Sequence, residues 1–325
     1  MGSNPTPSAN VKGQPKGWPF VLENIRFKPY TSRMGWITYS LITSLLISAV
    51  TISEKHMLHD RSSASYTAVH SILTCIISLP LLALAGFPSF TVVSFVAVLF
   101  VGIIASFALF LSIKSLKEMD ISVTAPLFVL TPALTSLLAA VFLGEHLSLL
   151  QTTGLLVIIL GTYLLQLKPH DHILTPLKRI WASPKLHLVF LALFIYSVCS
   201  LTDRFILTRT SLTPMQYQVT VQIWFAIFHT AYLVKLRGSF KPVITALKQS
   251  TWEMHGVALL TVASRLAQAT ATSIAPAVGP VIAIKRSGSL FTTLVGGELF
   301  HDKFLFQRVG ACGIMLIGIV LVVQH

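Results

Sequence analysis

Charge is what this chain of 325 residues has least of: 11% of its residues are charged, while 54% are apolar. Soluble domains carry about a quarter charged residues, so the scarcity excludes a soluble protein of this length. Acidic groups are the rarer sign, with 11 Asp and Glu against 24 Lys and Arg and a formal charge of +13. Also missing is the basic stripe with interleaved aromatics that a nucleic-acid binder shows, so no nucleic-acid partner is expected. Most cations flank apolar runs, where anionic headgroups and topology selection account for them. The three cysteines, Cys75, Cys199 and Cys312, lie far apart inside apolar runs. They give neither a disulfide framework nor metal spacing and read as small packing residues. No HExxH, GxSxG or paired catalytic aspartate motif occurs, so no enzyme is expected. A glycine loop ending in GK[ST] is lacking as well, which removes direct ATP drive; no cofactor is implied. No apolar h-region with a small-residue cleavage site opens the chain, so no cleavable signal peptide is expected, and the run at Trp36 acts as the signal anchor.

What the chain has instead is apolar runs of about 17 to 23 residues, the length a helix needs to cross the hydrocarbon layer. The reading is an all-α polytopic membrane protein with ten transmembrane helices. They fall near 36–56, 66–86, 92–113, 121–143, 150–167, 186–207, 216–235, 252–275, 277–300 and 305–323. Residues 1–34 form a polar tail rich in Pro, Gly and Lys, expected to be flexible. Residues 169–185 form a linker between two five-helix halves, 35–168 and 186–325.

The two halves repeat one another. Ser53-Glu54-Lys55 with Leu58 near the end of the first segment corresponds to Thr202-Asp203-Arg204 with Leu207 in the sixth. Each motif is followed by a tyrosine that opens the next helix, Tyr66 or Tyr217. "PALTSLLAAVFLGEHL" from Pro132 aligns with "SLFTTLVGGELFHDKF" from Ser289, pairing Thr135 with Thr292 and Glu145 with Asp302, and a glycine-bearing helix follows each. A five-segment unit crosses an odd number of times, so its second copy enters from the opposite side. The expectation is an inverted repeat with the substrate site near the midplane. Gly154, Gly161, Gly310, Gly313 and Gly318 are expected to let helix backbones approach closely.

This pattern, ten helices in two repeats with "TP…FLGE…Q..G…G" closing the first half, resembles the EamA-like branch of the drug/metabolite transporter superfamily over about residues 35 to 323. The second half departs from the signature with "GGELFHD", where Glu298 and Asp302 compete for the matching acid and spacing favours Asp302. "VGPVIAIKR" also resembles the "VGN…LKR" of plastid sugar-phosphate translocators. In those proteins the Lys-Arg pair binds the substrate phosphate, an implication that carries onto Lys285 and Arg286 alone.

Charged residues inside apolar segments carry the functional reading. Lys285, Arg286 and Arg265 place three cations in two consecutive segments, and Gln268 lies one helical turn from Arg265. Internal pairing with Asp203, Glu54 or Glu298 is one account of them, and an interfacial position another. The third is binding or gating, because ionisable residues inside membranes mark substrate and ion paths. Within the pair, Lys285 is assigned to the substrate and Arg286 to a structural partner. Glu54, Lys55, Asp203 and Arg204 read either as gates bridging the two repeats or as interfacial anchors. Glu145 and Asp302 read as helix ends or caps. Tyr66 and His70 share one face of their segment, as Gln218 and Gln222 do of theirs, with Trp224 nearby; they bond across helices or contact substrate. His70 is also a candidate proton carrier. "HDH" at 170–172 has metal-ligand residue types but a poor setting, and no metal site is expected.

The sequence therefore reads as a secondary transporter in the cell membrane, moving a small organic metabolite, more readily an anion, by alternating access. Arg and Lys suit carboxylate and phosphate. The competing reading is an exporter of amino acids or hydrophobic drug-like compounds; a receptor or scaffold has no need of inverted halves. Partners are the lipid bilayer and a small-molecule substrate, with proton coupling or exchange, in a monomer or homodimer. Orientation stays open. Lys and Arg number about seven on the tail-bearing side and about fourteen on the other, which by the positive-inside rule puts the termini outside. Resemblance to the superfamily and the cationic tail point the other way.

Overall fold

A computed structural model of the protein describes residues 33–142, 148–166 and 182–323, and the secondary structure among the described residues is entirely helical. Hydroxyl side chains set several of the starts. Helix α1 spans Arg33–Met57. Helix α2, Ser63–Ser78, begins behind Ser62, whose hydroxyl accepts from the Ser65 amide. After the short α3, Leu81–Ala85, comes α4, Val92–Glu118, where Thr91 and Ser94 form a reciprocal capping box. These contacts satisfy amides that have no partner inside the helix.

The next segment is broken. Helix α5, Ile121–Leu127, passes through a 3-10 turn at Phe128–Leu130 into α6, Thr131–Phe142. Pro132 lacks the amide that would bond back to Phe128, and this loosens the turn. Helix α7 is Leu149–Gln166. The second half opens with α8, Pro184–Arg209, and α9, Pro214–Arg237, the latter capped by Thr213 and Gln216 and ended by Gly238 at φ +68°, a conformation glycine adopts without penalty. A short amphipathic helix α10, Lys241–Lys248, was not expected. Helix α11 is Trp252–Ile274. Then come α12, Val278–Ser287, α13, Ser289–Phe291, a π turn at Thr292–Gly296, and α14, Gly297–Leu299. Helix α15, Leu305–Val323, completes the order.

Eight helices among the described residues are long and apolar enough to cross a membrane. Two of the ten expected segments are not among them. One is α7, which is short, and the other is the run 277–300, which the structure divides at Gly288 and at the π turn. At Gly288 the chain is pressed against α1: a Cβ there would come within 2.5 Å of the Ser44 carbonyl oxygen.

Large apolar side chains, among them Val92, Leu149 and Phe306, stand exposed on the outside, while Ser71, Ser122, Thr135, Ser197 and Gln222 are buried. That distribution suits a bundle surrounded by lipid, where polar groups must find partners inside. The most extensive helix pairings are α7 with α15, α1 with α11, α4 with α8, and α2 with α9, and α6 packs on α12. In the α7–α15 seam, Gly154 and Gly318 face each other so closely that a Cβ on either would lie within 2.7 Å of the other's carbonyl oxygen, and Gly161 meets Met315. Gly310 and Gly313 depart from expectation. They meet open space, because α15 turns its Ala311, Met315 and Val322 face inward.

Two polar clusters mark the ends of the bundle. At one end Lys117 Nζ donates to the Arg61 carbonyl, Lys185 Nζ to that of Glu118 at 3.1 Å, and Arg61 to that of Gln249 at 3.2 Å. Arg308 holds Asp120 through two 3.1 Å bonds at this end. At the other end Gln216 Nε2 donates to the Ala85 carbonyl at 3.1 Å.

Candidate functional site

A cavity of about 220 Å³ lies between the helices of the two halves. Helix α1 supplies Glu54, α8 Asp203, α2 His70 and α9 Gln218. Helix α11 adds Arg265 and Gln268, and α12 adds Lys285 and Arg286. Eight of the twelve residues singled out from the sequence thus converge on one space. Arg265 and Gln268, three apart on α11, do share the face that lines it.

The cations have no carboxylate within ion-pair distance. Ion pairs among the described residues are those of His59 with Asp60 and of Arg308 with Asp120 and Asp302, all outside the cavity. Lys285 Nζ instead donates to Gln268 Oε1. The Arg265 guanidinium lies over the Phe225 ring, 4.6 Å from its centroid, and that of Arg286 over Phe128 at 5.1 Å. Arg286 therefore has an aromatic seat where an acidic partner was expected, and its buried Nε has no hydrogen-bond partner. Glu298 is exposed, too far out to answer any of the three. An unpaired cation in a low-dielectric interior costs several kcal/mol, and the quadrupole of an aromatic face offsets only about 0.5–2 kcal/mol of that.

The two carboxylates differ in their surroundings. Asp203 accepts a hydrogen bond from the Tyr217 hydroxyl. Tyr66 stands in the corresponding place, close enough to Glu54 to interact with it, though its buried hydroxyl makes no well-formed hydrogen bond. Tyr66 stacks on His70, ring centroids 5.7 Å apart.

Four of the twelve stand elsewhere. Tyr66 and Gln222 lie behind the cavity wall; Gln222 Oε1 accepts from Thr74 at 3.4 Å, and its Nε2 is buried without a partner. Lys55 forms no ion pair with an acid among the described residues, and both it and Arg204 reach backbone carbonyls. Lys55 Nζ donates to the carbonyls of Leu116 and Met119, at 2.7 and 2.6 Å, closing the end of α4. Arg204 does the same at the end of α11, through Thr272 at 2.7 Å and Pro276 at 2.9 Å. Carbonyls at a helix C-terminus lack intrahelical partners and carry partial negative charge, so a cation is a good cap for them.

Asp302 does act as a cap, but for another helix: its carboxylate accepts from the Ser122 amide at 2.9 Å, at the start of α5. Trp224 packs against Gly102 of α4 and stacks on Phe228, with rings 5.8 Å apart. Glu145 and the 170–172 stretch lie outside the described residues. Phe128, Phe225 and Tyr196 line the cavity without having been singled out. Nothing separates them in sequence from the other aromatics of apolar helices. Tyr217 had a signal, its place in the repeated motif.

No curated protein matches the chain. Twenty-seven chains of solved structures do. One crystal structure overlays with a TM-score of 0.61 at 16% identity, over 89% of this chain and 96% of that one, a likeness of fold alone. Residues 34–167 match the EamA-like transporter family, whose members move small molecules across membranes. Over these residues the chain is similar to the EamA-like transporter family, and its long apolar helices make it a multi-pass membrane protein.

Proposed function

We propose that the protein is a secondary, non-ATP transporter of a small organic anion, which binds in the central cavity and crosses by alternating access of two inverted five-helix halves, 35–168 and 186–325. One observation carries the substrate charge: Arg265, Lys285 and Arg286 open onto a single small space with no carboxylate in ion-pair contact. An anion entering that space supplies the missing counter-charge, and guanidinium forks suit the oxygens of carboxylate or phosphate. The resemblance of "VGPVIAIKR" to sugar-phosphate translocators favours phosphate at Lys285 and Arg286.

The two-half architecture is supported by what happens when each segment is exchanged for its counterpart five segments on. The pairing of α1 with α11 becomes that of α8 with α4, while α2–α9, α6–α12 and α7–α15 map onto themselves. Single bonds follow the same exchange. Ser48 Oγ donates to the Gly288 carbonyl at 2.9 Å and Ser197 Oγ to that of Thr131 at 3.4 Å, just as Lys55 and Arg204 cap α4 and α11. Such symmetry suits two conformations that interchange the roles of the halves. Lys55 and Arg204 then gate by holding or freeing helix ends, with Glu54 and Asp203 beside them.

The test is transport in proteoliposomes of the full chain, with organic phosphates, carboxylates, amino acids and hydrophobic cations as separate substrates. Lys285→Gln keeps much of the length and removes the charge. Anion transport should fall at least about tenfold, or about 1.4 kcal/mol, in protein that still inserts and elutes as wild type. Undiminished anion transport in that variant would leave Lys285 structural. Movement of amino acids or hydrophobic cations in place of anions would put the exporter reading first.

A further inference from the structure

The cavity holds three cationic side chains against two carboxylates, and the two acids are not equivalent. Asp203 faces Tyr217 of α9, Lys285 of α12 and Arg265 of α11, and it accepts a hydrogen bond from Tyr217. The donor and the nearby cations favour its ionised form, while burial opposes it. Glu54 is 8% exposed and faces Arg265 of α11 and Tyr66 of α2. Arg265 is not in ion-pair contact with it, and the Tyr66 hydroxyl lies beside it without a well-formed bond. Its neighbour Lys55 is turned away, toward the carbonyls at the end of α4. A buried carboxylate with no ion pair and no well-formed donor bond is relieved by taking up a proton.

We propose that Glu54 is a proton-binding site of the cavity, whose protonation strengthens anion binding so that one proton and one anion cross together in the same direction. The balance is simple. With both acids ionised the cavity carries one net positive charge; a proton from the water on the open side converts the Glu54 carboxylate to the neutral acid and leaves two. The anion then meets one more uncompensated cation, and the favoured loaded form contains both proton and anion. Release on the other side lets Glu54 ionise and restores the starting charge. The exchange assigns no proton to Asp203, whose carboxylate is bonded to Tyr217. Because uptake of each ligand strengthens the other, the coupling is reciprocal.

The second half of this inference rests on the cavity being an anion site, whereas the proton site stands apart from it, so two measurements separate them. The first needs no ligand. Infrared difference spectra of the detergent-purified full chain, between about pH 8 and about pH 6, should show the C=O stretch of a carboxylic acid appearing on acidification. That band should be lost in Glu54→Gln and kept in Asp203→Asn. Its absence from the wild type, or its loss in Asp203→Asn but not in Glu54→Gln, overturns the assignment; Glu54→Gln decides alone if Asp203→Asn does not fold. The second uses sulfate, an anion that does not titrate in this range. Its Kd should fall about tenfold over the same interval in the wild type, a coupling of ordinary size, and stay constant in Glu54→Gln. A wild-type Kd that ignores pH overturns the coupling. Failure of sulfate to bind at either pH rejects coupled anion binding with this probe, while the infrared band still judges Glu54.

Discussion

At the scale of single residues, the two arginines of the cavity lie on flat aromatic surfaces and have no acid in ion-pair contact. Arg265 lies on Phe225 and Arg286 on Phe128, and a ring beneath a guanidinium leaves its N–H edges free to meet a ligand. An acid in the same place would occupy those edges. Phe225→Leu keeps the apolar volume and removes the quadrupole, at a cost of about 1 kcal/mol. We expect the affinity for sulfate or an organic phosphate to weaken about fivefold, a readout of the seat under Arg265, with thermal stability nearly unchanged. Equal affinity in the variant would show that the ring is only packing. The three cations were legible in the sequence because charge is conspicuous in an apolar run. Their aromatic seats were not, because 20 phenylalanines populate the same kind of helix and only contact tells them apart.

At the scale of elements, the seam between α7 and α15 depends on backbone approach. A Cβ added at Gly318 would meet the Gly154 carbonyl oxygen at 2.7 Å, and backbone cannot yield as a side chain can. Where lipid tails are as apolar as the side chains, such close contact supplies much of the association. Gly318→Val should destabilise the purified protein by about 1–3 kcal/mol, read as a lowered thermal midpoint in detergent. Gly310→Ala, with nothing within 4 Å of the new Cβ, should leave that midpoint in place. All five glycines share one residue type and similar surroundings in sequence, so the difference between seam and lipid face emerges only once α15 has a partner. The ninth segment teaches the same point. Its composition reads as one apolar helix, but pressure from α1 at Gly288 and the π turn at Thr292–Gly296 interrupt it, close to the residues that bear the charge.

At the scale of the whole molecule, the exposed cations of the described residues gather at one end. Lys117, Lys185, Lys235, Arg237, Lys241, Lys248 and Lys303 are exposed, and the contacts through Arg61, Asp120 and Gln249 bring the segments that bear them to the same end of the bundle. Helix α10 lies there too, with Val243 buried against Ala64, Ala68 and Leu233 while Ile244 stays exposed beside the lysines. Such an end suits an anionic headgroup layer, and we propose from the positive-inside rule that it faces the cytoplasm. The end where Gln216 holds the Ala85 carbonyl then faces outward. In intact cells, a membrane-impermeant maleimide should label Ser89→Cys, and Thr245→Cys only after permeabilisation. The reverse pattern would turn the molecule over.

Composition and run length determined by themselves that the chain lives in a bilayer and is helical, because a backbone in hydrocarbon must satisfy its own hydrogen bonds. The repeated Glu54-Lys55 and Asp203-Arg204 motifs pointed to the helix ends where acid and base stand in like positions, since local spacing survives folding. Which side of each pair faces the cavity was decided by tertiary structure alone. Lys55 and Arg204 turn to the carbonyls of α4 and α11, Glu54 and Asp203 turn inward, and Asp203 gains the well-formed tyrosine bond. A sequence states which groups need partners in lipid, but the partners are supplied by helices tens or hundreds of residues away. That need is a property of the residue, whereas its satisfaction is a property of the packing.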